Sequence, residues 1–385
     1  MSTRLCVLTP RGRGAVAVVA VEGPNAVSAV DRFFQAANKH ALPDQPIGRI
    51  VYGHWGSSAG EDLIVCRRDD QSLEIHCHGG RQSSEQLVAN LSEVGCQRIE
   101  SDDWLTRQYD CPLVAAAHAA LARATTYRAA SILLDQYHGA LRRELGAIVA
   151  ALAGDDAQQA ATRIEQLLQV AEFGQHLTEP WQVVIAGQPN VGKSSLINAL
   201  VGYERAIVYD QPGTTRDVVS STTAVDGWPV QLNDTAGLHD TTDAIETAGM
   251  ALARERLLAA DLVVWVLDAI EVSQTKDKIW HLAEQQAEAV GIVLEREQML
   301  LVINKIDLVH PTGASQQGIG TAAIAGDGIE QLLAEISVGL VPVAPAPAAA
   351  VPFTREQVSA LQAALSAVAS SDLARAEKTL RGLLG

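Results

Sequence analysis

Four short stretches carry residue types that could handle a nucleoside triphosphate. "GQPNVGKS", Gly187 to Ser194, follows the apolar run "VVIAG" and leads into "SLINALVG". In such a loop glycines let backbone N–H groups turn inward on phosphate oxygens, Lys193 brings a cation to the β and γ phosphates, and the Ser194 hydroxyl is placed for Mg²⁺. The nucleotide-binding set predicted here is Gly187, Asn190, Val191, Gly192, Lys193, Ser194 and Ser195. Taken alone, the loop leaves ATP and GTP open. "NKID", Asn304 to Asp307, decides between them, because it ends the apolar run "LLVIN", where a strand's carboxyl end meets a ligand crevice. Asp307 can accept hydrogen bonds from guanine N1–H and the N2 amino group. Adenine lacks both donors and would leave a carboxylate unpaired, at a cost of about 1–3 kcal/mol. Asn304 and Lys305 brace the loop and cover the base.

The other two stretches read as switches. "GTTRD", Gly213 to Asp217, lies about 20 residues beyond Lys193, where a loop would bring a threonine to Mg²⁺; Thr215 is the candidate and Thr214 its rival. "DTAG", Asp234 to Gly237, follows the alternation "WPVQLN"; Asp234 would hold Mg²⁺ through water and the Gly237 N–H would sense the γ phosphate. Singly each is an ordinary loop. All four in this order predict a GTP-hydrolysing enzyme. Ras-type enzymes place a water-orienting Gln just after that glycine, whereas Leu238 stands here. A fifth, base-covering turn falls in "TAAIAGDGIEQLL", with either Thr321–Ala322 or Ala322–Ala323 beneath the base; Ala322 and Ala323 are carried as candidates.

These motifs need strands and helices to hold them. From about 180 to 340, short apolar runs such as "LVVWVLDA" alternate with helical stretches, the texture of buried parallel strands with crossover helices. Residues 1–108 mix β-rich runs ("GAVAVVAVEG", "LEIHC") with helical pieces and predict a small α+β domain. Residues 109–178 are rich in Ala, Leu and Arg at helical spacing and predict two or three long helices. "VPVAPAPAAAVP", from residue 341, excludes a regular helix and predicts an extended spacer, followed by one last helix to residue 385. The fold class expected is multidomain α/β: a P-loop domain over 179–340, with a mostly parallel sheet and helices on both faces, inserted in a helical domain (109–178 and 341–385).

The bulk numbers narrow the partners. At a net charge of −16 the 385-residue chain has no general attraction for phosphate backbones, so any RNA contact needs a local patch or a partner. Five cysteines without a CxxC pair fit a reducing cytosol. "HCH", His76 to His78, cannot converge on one ion from a strand, because neighbours face opposite ways. Neither a signal peptide nor a membrane-spanning run is expected, which points to a cytoplasmic protein.

With "GQPNVGKSSLINAL", "PGTTRD", "DTAGLHDTTDAIE" and "NKID", the chain resembles the MnmE (TrmE) family of tRNA-modification GTPases. Fainter similarity extends outward through "TPRGRGAVAVVAVEG", "LEIHCHGG" and "YRAASILLDQYHGAL". The resemblance implies an N-terminal folate-binding domain, then a helical domain with the G domain inserted. It implies K⁺-stimulated hydrolysis by dimerising G domains, with Asn190 helping to bind K⁺ and Glu246 orienting the attacking water. That would make Leu238 compatible with catalysis, although on spacing alone Asn190 is a turn former and Glu246 a solvated helix residue. It further implies GTP, Mg²⁺ and a tetrahydrofolate derivative as cofactors, and an FAD-containing partner, MnmG. With tRNA as substrate, the target is C5 of the wobble uridine, U34.

Departures lie outside the GTP motifs. The family's terminal Cys-x-Gly-Lys is absent from the ending "RGLLG", the last helical segment is shorter, and "RRDDQS" and "SDDWLTRQYDCPL" replace family stretches around the folate region. Arg13, Glu74 and His78 are the folate candidates. Two functions are therefore expected to compete: a tRNA-modification GTPase, and a GTP-dependent switch or assembly module that has left modification behind.

Overall fold

The computed structural model describes residues 2–9, 14–56, 60–203, 220–234, 255–275, 278–289, 296–309 and 318–385. Among them, the residues up to Asp110 form one compact unit and those from Cys111 onward a second.

The first unit is built on a seven-stranded sheet in the order β3-β4-β5-β6-β2-β1-β7. The strands are β1 (Arg4–Val7), β2 (Val16–Glu22), β3 (Phe34–Ala36), β4 (Ile50–Trp55), β5 (Glu61–Arg67), β6 (Ser72–His78) and β7 (Gln97–Arg98). All pairs are antiparallel except β1 with β7. Period-two alternation sends Val19, Val21, Val65, Leu73, Ile75 and Cys77 into a core shared with Leu87 and Leu91 of helix Arg81–Glu93. Cys77 is thus buried, while its neighbours His76 and His78 lie on the other face, as alternation requires. Burial pushes the Cys77 thiol up to about 11, so it is held as an inert thiol.

The second unit contains a six-stranded sheet, β13-β12-β11-β8-β10-β9. These are β8 (Trp181–Gly187), β9 (Ser220–Val225), β10 (Trp228–Asp234), β11 (Leu262–Asp268), β12 (Met299–Asn304) and β13 (Ile319–Thr321). Only edge strand β9 runs antiparallel, joined to β10. Both faces of β8 and β11 are apolar because both are covered. Val183, Ile185, Val264 and Val266 pack under helices Lys193–Tyr203 and Ile329–Leu340. Val184, Ala186, Val263 and Trp265 pack with helices Ala269–Gln274 and Ile279–Ala289. This is the mostly parallel α/β arrangement expected from the texture.

The helical part departs from expectation in detail. Instead of two or three long helices, Pro112–Arg123, Tyr127–Tyr137, Ala140–Ala153 and Ala157–Gln169 are followed by the short Ala171–Gln175. Local chemistry breaks them: Thr126 caps the second by accepting from the Ala129 N–H, Gly139 takes φ 89°, and Asp155 at φ 58° precedes the Asp156 cap of the fourth. The C-terminal segment is likewise two helices, Arg355–Ala369 and Leu373–Leu384. They are separated at Ser371 (φ 61°) and Asp372, whose side chain caps the second. Leu361, Leu380, Leu145 and Ile148 share one core, so the segments on either side of the α/β part pack together.

The Pro/Ala segment is not a free spacer. The Ala348 N–H donates to Asp135 at 2.9 Å, the Gln136 amide donates to the Ala349 carbonyl at 3.0 Å, and the Val351 N–H donates back to Gln136 at 3.1 Å. Val351 and Phe353 are buried, and a Cβ on Gly174 would sit 1.8 Å from the Pro352 carbonyl oxygen. Prolines exclude helix here, as expected, but side chains on Tyr127–Tyr137 hold the strap down.

Candidate functional site: a guanine-nucleotide crevice

The crevice opens at the carboxyl end of β8, where the chain order reverses between β10 on one side and β11 on the other. From Gly187 (φ 141°) the chain turns through Asn190 (φ 65°) and Gly192 (φ 95°) before helix Lys193–Tyr203 begins. Only glycine adopts the first and last without strain. Space demands it too: a Cβ on Gly187 would lie 2.3 Å from the Val266 oxygen and one on Gly192 2.4 Å from the Asn304 amide nitrogen. Val191 is buried beneath the loop, while Asn190, Ser194 and Ser195 are exposed on it.

Lys193 is buried and folds back along the loop, its Nζ donating to the carbonyls of Gly187 (3.0 Å) and Gln188 (2.8 Å). Burial draws its pKa below the ordinary lysine value, and Asp234 opposes that shift. The Ser194 hydroxyl donates to Asp234 Oδ2 at 2.7 Å. Asp234 is the last residue of β10, in register with Ile185 of β8, and is buried. A hydroxyl and a carboxylate oxygen side by side at a phosphate loop are the donors a hard divalent cation takes.

The base side is held by buried hydrogen bonds. Asn304 ends β12; its amide donates to the Val191 carbonyl at 2.9 Å, and its Oδ1 accepts from the Thr321 hydroxyl (3.1 Å) and the Ala323 N–H (3.2 Å). One side chain therefore ties the phosphate loop to the turn after β13. Lys305, in the left-handed region at φ 66°, donates to the Asn190 carbonyl at 2.6 Å and pairs with Asp268 at 2.7 Å. Asp307 is exposed in the short turn Ile306–Leu308. Of the alternatives for the fifth turn, Ala323 supplies the N–H bonded to Asn304, while Ala322 is buried and Thr321 contributes its hydroxyl.

Several expected residues lie outside the described residues: Arg13, Thr214, Thr215, Gly237, Leu238 and Glu246. Of the remaining folate candidates, Glu74 pairs with Arg68 (2.6 Å) and His76 (3.4 Å), and His78 Nδ1 lies 2.8 Å from Glu61. Both sit on the open face of β6, each engaged with a neighbour.

Sequence reasoning passed over Asp268, the Thr321–Asn304 bond and the turn Asp226–Gly227. An Asp closing the apolar run of β11, and an Asp-Gly pair between two alternating runs, are signals that could have found the first and third. The Thr321–Asn304 bond had none, because only the fold brings the two side chains together.

A mixed, mostly parallel sheet with a phosphate loop, an Asn-Lys-Ile-Asp loop after β12 and a serine–aspartate pair defines a P-loop GTPase. The profile of the family described as "50S ribosome-binding GTPase" matches residues 182–305. The "tRNA modification GTPase MnmE" of Geobacillus kaustophilus (strain HTA426) is 32% identical over 379 residues, covering 86% of this chain and 80% of that protein. The protein of that name from Bacillus subtilis (strain 168) is 31% identical over 350 residues, covering 80% and 74%. Among solved structures, a variant of Aquifex aeolicus Era shares 24% identity over 40% of this chain and 55% of that one, at a TM-score of 0.30. The G domain of the T. maritima FeoB iron transporter shares 24% over 42% and 99%, also at 0.30. The chain belongs to the MnmE family of tRNA modification GTPases. Among the described residues, no helix is long and apolar enough to cross a membrane.

Proposed function

We propose that this chain is a cytoplasmic tRNA-modification GTPase that spends GTP to drive a step in building a C5-substituted wobble uridine. One observation carries the reading: the similarity to the Geobacillus protein spans 379 residues, far beyond the 182–305 segment that any GTPase of this type would need. A bare nucleotide switch would not need the N-terminal and helical regions.

In hydrolysis, water attacks the γ phosphorus, the bond to the bridging oxygen breaks, and GDP leaves with the electron pair. Lys193 would release the Gly187 and Gln188 carbonyls and turn its ammonium to the β and γ oxygens, where charge accumulates. Ser194 and Asp234, already 2.7 Å apart, would hold Mg²⁺, which when bound neutralises phosphate charge. Asp307 would accept from guanine while Asn304, Thr321 and Lys305 keep its loop against Asn190 and Val191. Thr215 and Gly237 would close on the γ phosphate, and Glu246 would orient the water in place of the missing Gln. The Asn190 amide oxygen would contribute to a K⁺ site, where the ion supplies charge that other GTPases take from an arginine. Two chains would pair through their G domains to close it. In the N-terminal unit Arg13, Glu74 and His78 would receive a tetrahydrofolate derivative, the one-carbon source. MnmG and tRNA are the proposed partners; with a net charge of −16, tRNA contact would run through a local patch or through MnmG.

The test is deletion in the host with mass spectrometry of total tRNA nucleosides. Loss of a C5-substituted uridine, restored by this chain and not by Lys193→Ala, is the expected result. An unchanged nucleoside profile would reduce the protein to a GTP-driven assembly switch.

A further inference from the structure

The β9–β10 hairpin lies between two of the sequence motifs. "GTTRD" ends three positions before the first residue of β9, and "DTAG" begins at Asp234, the last residue of β10. Both nucleotide-sensing stretches therefore attach to the same two-stranded ribbon. Its closed end is a two-residue turn, Asp226 (φ 50°) and Gly227 (φ 77°), the positive-φ pair that matches strand twist.

That closed end is held by the helical part. Arg128, in the first turn of helix Tyr127–Tyr137, donates from one guanidinium nitrogen to the Asp226 carbonyl (2.8 Å) and carboxylate (2.6 Å). Its guanidinium carbon lies 4.1 Å from the centre of the Trp228 ring. Trp228, 2% exposed, meets Phe173 edge to face with ring centres 5.2 Å apart. The Ser337 hydroxyl adds a bond to the Asp226 carboxylate at 3.2 Å. A main-chain acceptor, a carboxylate and an aromatic face all converge on one planar cation, and lysine would lose the flat stacking on the ring. The other end of the same helix grips the Pro/Ala strap through Asp135 and Gln136. From Trp228 to Asp234 the strand spans about 20 Å, at roughly 3.3 Å per residue. One helix thus joins the back of the ribbon to the segment returning from the GTPase part.

We propose that Arg128 is a positioning residue for GTP hydrolysis. Its clamp fixes the ribbon whose far end carries Asp234, and through it the nucleotide state reaches helix Tyr127–Tyr137. The inference needs GTP binding and does not depend on the tRNA chemistry, so its test is made on the isolated full chain. Hydrogen exchange of residues 127–137 is compared with GDP and with a non-hydrolysable GTP analogue, in the natural chain, Arg128→Ala and Arg128→Lys. Calorimetry gives nucleotide affinity and steady-state assays give kcat and KM.

The expected result is a nucleotide-dependent change in protection of 127–137 that disappears in Arg128→Ala. In that variant kcat should fall about fivefold while GTP affinity and KM stay within threefold, because the phosphate and guanine loops are untouched. Arg128→Lys should fall between. Asp226→Asn, which keeps the carbonyl and ring contacts, is the milder second variant should Arg128→Ala not fold, and should weaken the nucleotide-dependent change. The proposal is overturned if protection of 127–137 ignores nucleotide in the natural chain. It is equally overturned if the difference survives these substitutions, or if only melting temperature moves while kcat is unchanged.

Discussion

The guanine side of the crevice and the open face of the N-terminal sheet both gather polar side chains, but in opposite physical settings. Asn304 (2% exposed) and Thr321 (0%) bond to each other and to the main chain inside the second unit. In the first unit, Tyr52 and His54 meet Asp62, and Arg68 and His76 meet Glu74, on a sheet face in contact with water. Buried polar groups cost most when a partner is lost, whereas exposed ion pairs are screened and replaceable. The crevice is therefore prebuilt for its ligand, and the open face is a set of local pairings.

The largest expected break comes at Lys193. Lys193→Ala should lower GTP turnover by about 10²–10³-fold, the range seen when a preorganised charge stabiliser is removed; single-turnover assays with purified protein would show it. Next is Asn304→Ala, which strands the buried Thr321 hydroxyl and leaves the half-buried Ala323 N–H without its acceptor. A cost of about 2–3 kcal/mol is expected, read as roughly 30- to 150-fold weaker GTP binding by calorimetry. Gly192→Ala should cost about 1–3 kcal/mol, because φ 95° strains any Cβ and the methyl meets the Asn304 amide. At the small end stands Glu74→Gln, expected to change stability by less than about 1 kcal/mol in urea titrations. A large effect there, or a small one at Asn304, would erase the contrast.

Acid sharpens the same comparison. The His54 and Tyr52 hydrogen bonds hold the Asp62 carboxyl below its usual value, and the Arg68 bond does so for Glu74. A carboxylate depressed in the folded state contributes stability that is present above its unfolded pKa of about 4 and is lost as pH falls through the folded value. Amide exchange of residues 50–78 should accordingly accelerate as pH drops below about 4, after correction for intrinsic rates.

Sequence legibility followed locality. The phosphate loop and "NKID" could be read directly because their chemistry is contiguous: Gly187, Gly192 and Lys193 lie within seven residues, and Asn304 to Asp307 within four. The parallel sheet was legible because strands buried on both faces are apolar throughout. The Lys305–Asp268 pair and the Thr321–Asn304 bond were not, since each joins separate strands and neither partner advertises the other. Helix lengths were overestimated because composition reports helical preference evenly through "ARATTYRA" and "ALAGDDAQ", whereas Thr126 and Asp156 stop and restart the helix by capping. Prolines correctly excluded helix from the strap, but nothing in "VPVAPAPAAAVP" reveals that Gln136 holds it.

Asp307 is proposed to read guanine on the braced side of the crevice. The most direct measurement is calorimetric titration of the full chain with GTP and with ATP, in the natural sequence and in Asp307→Ala. GTP is expected to bind at least about 100-fold more tightly than ATP, with that preference gone in the variant. Equal affinity for the two nucleotides, or a preference that survives loss of the carboxylate, would contradict it.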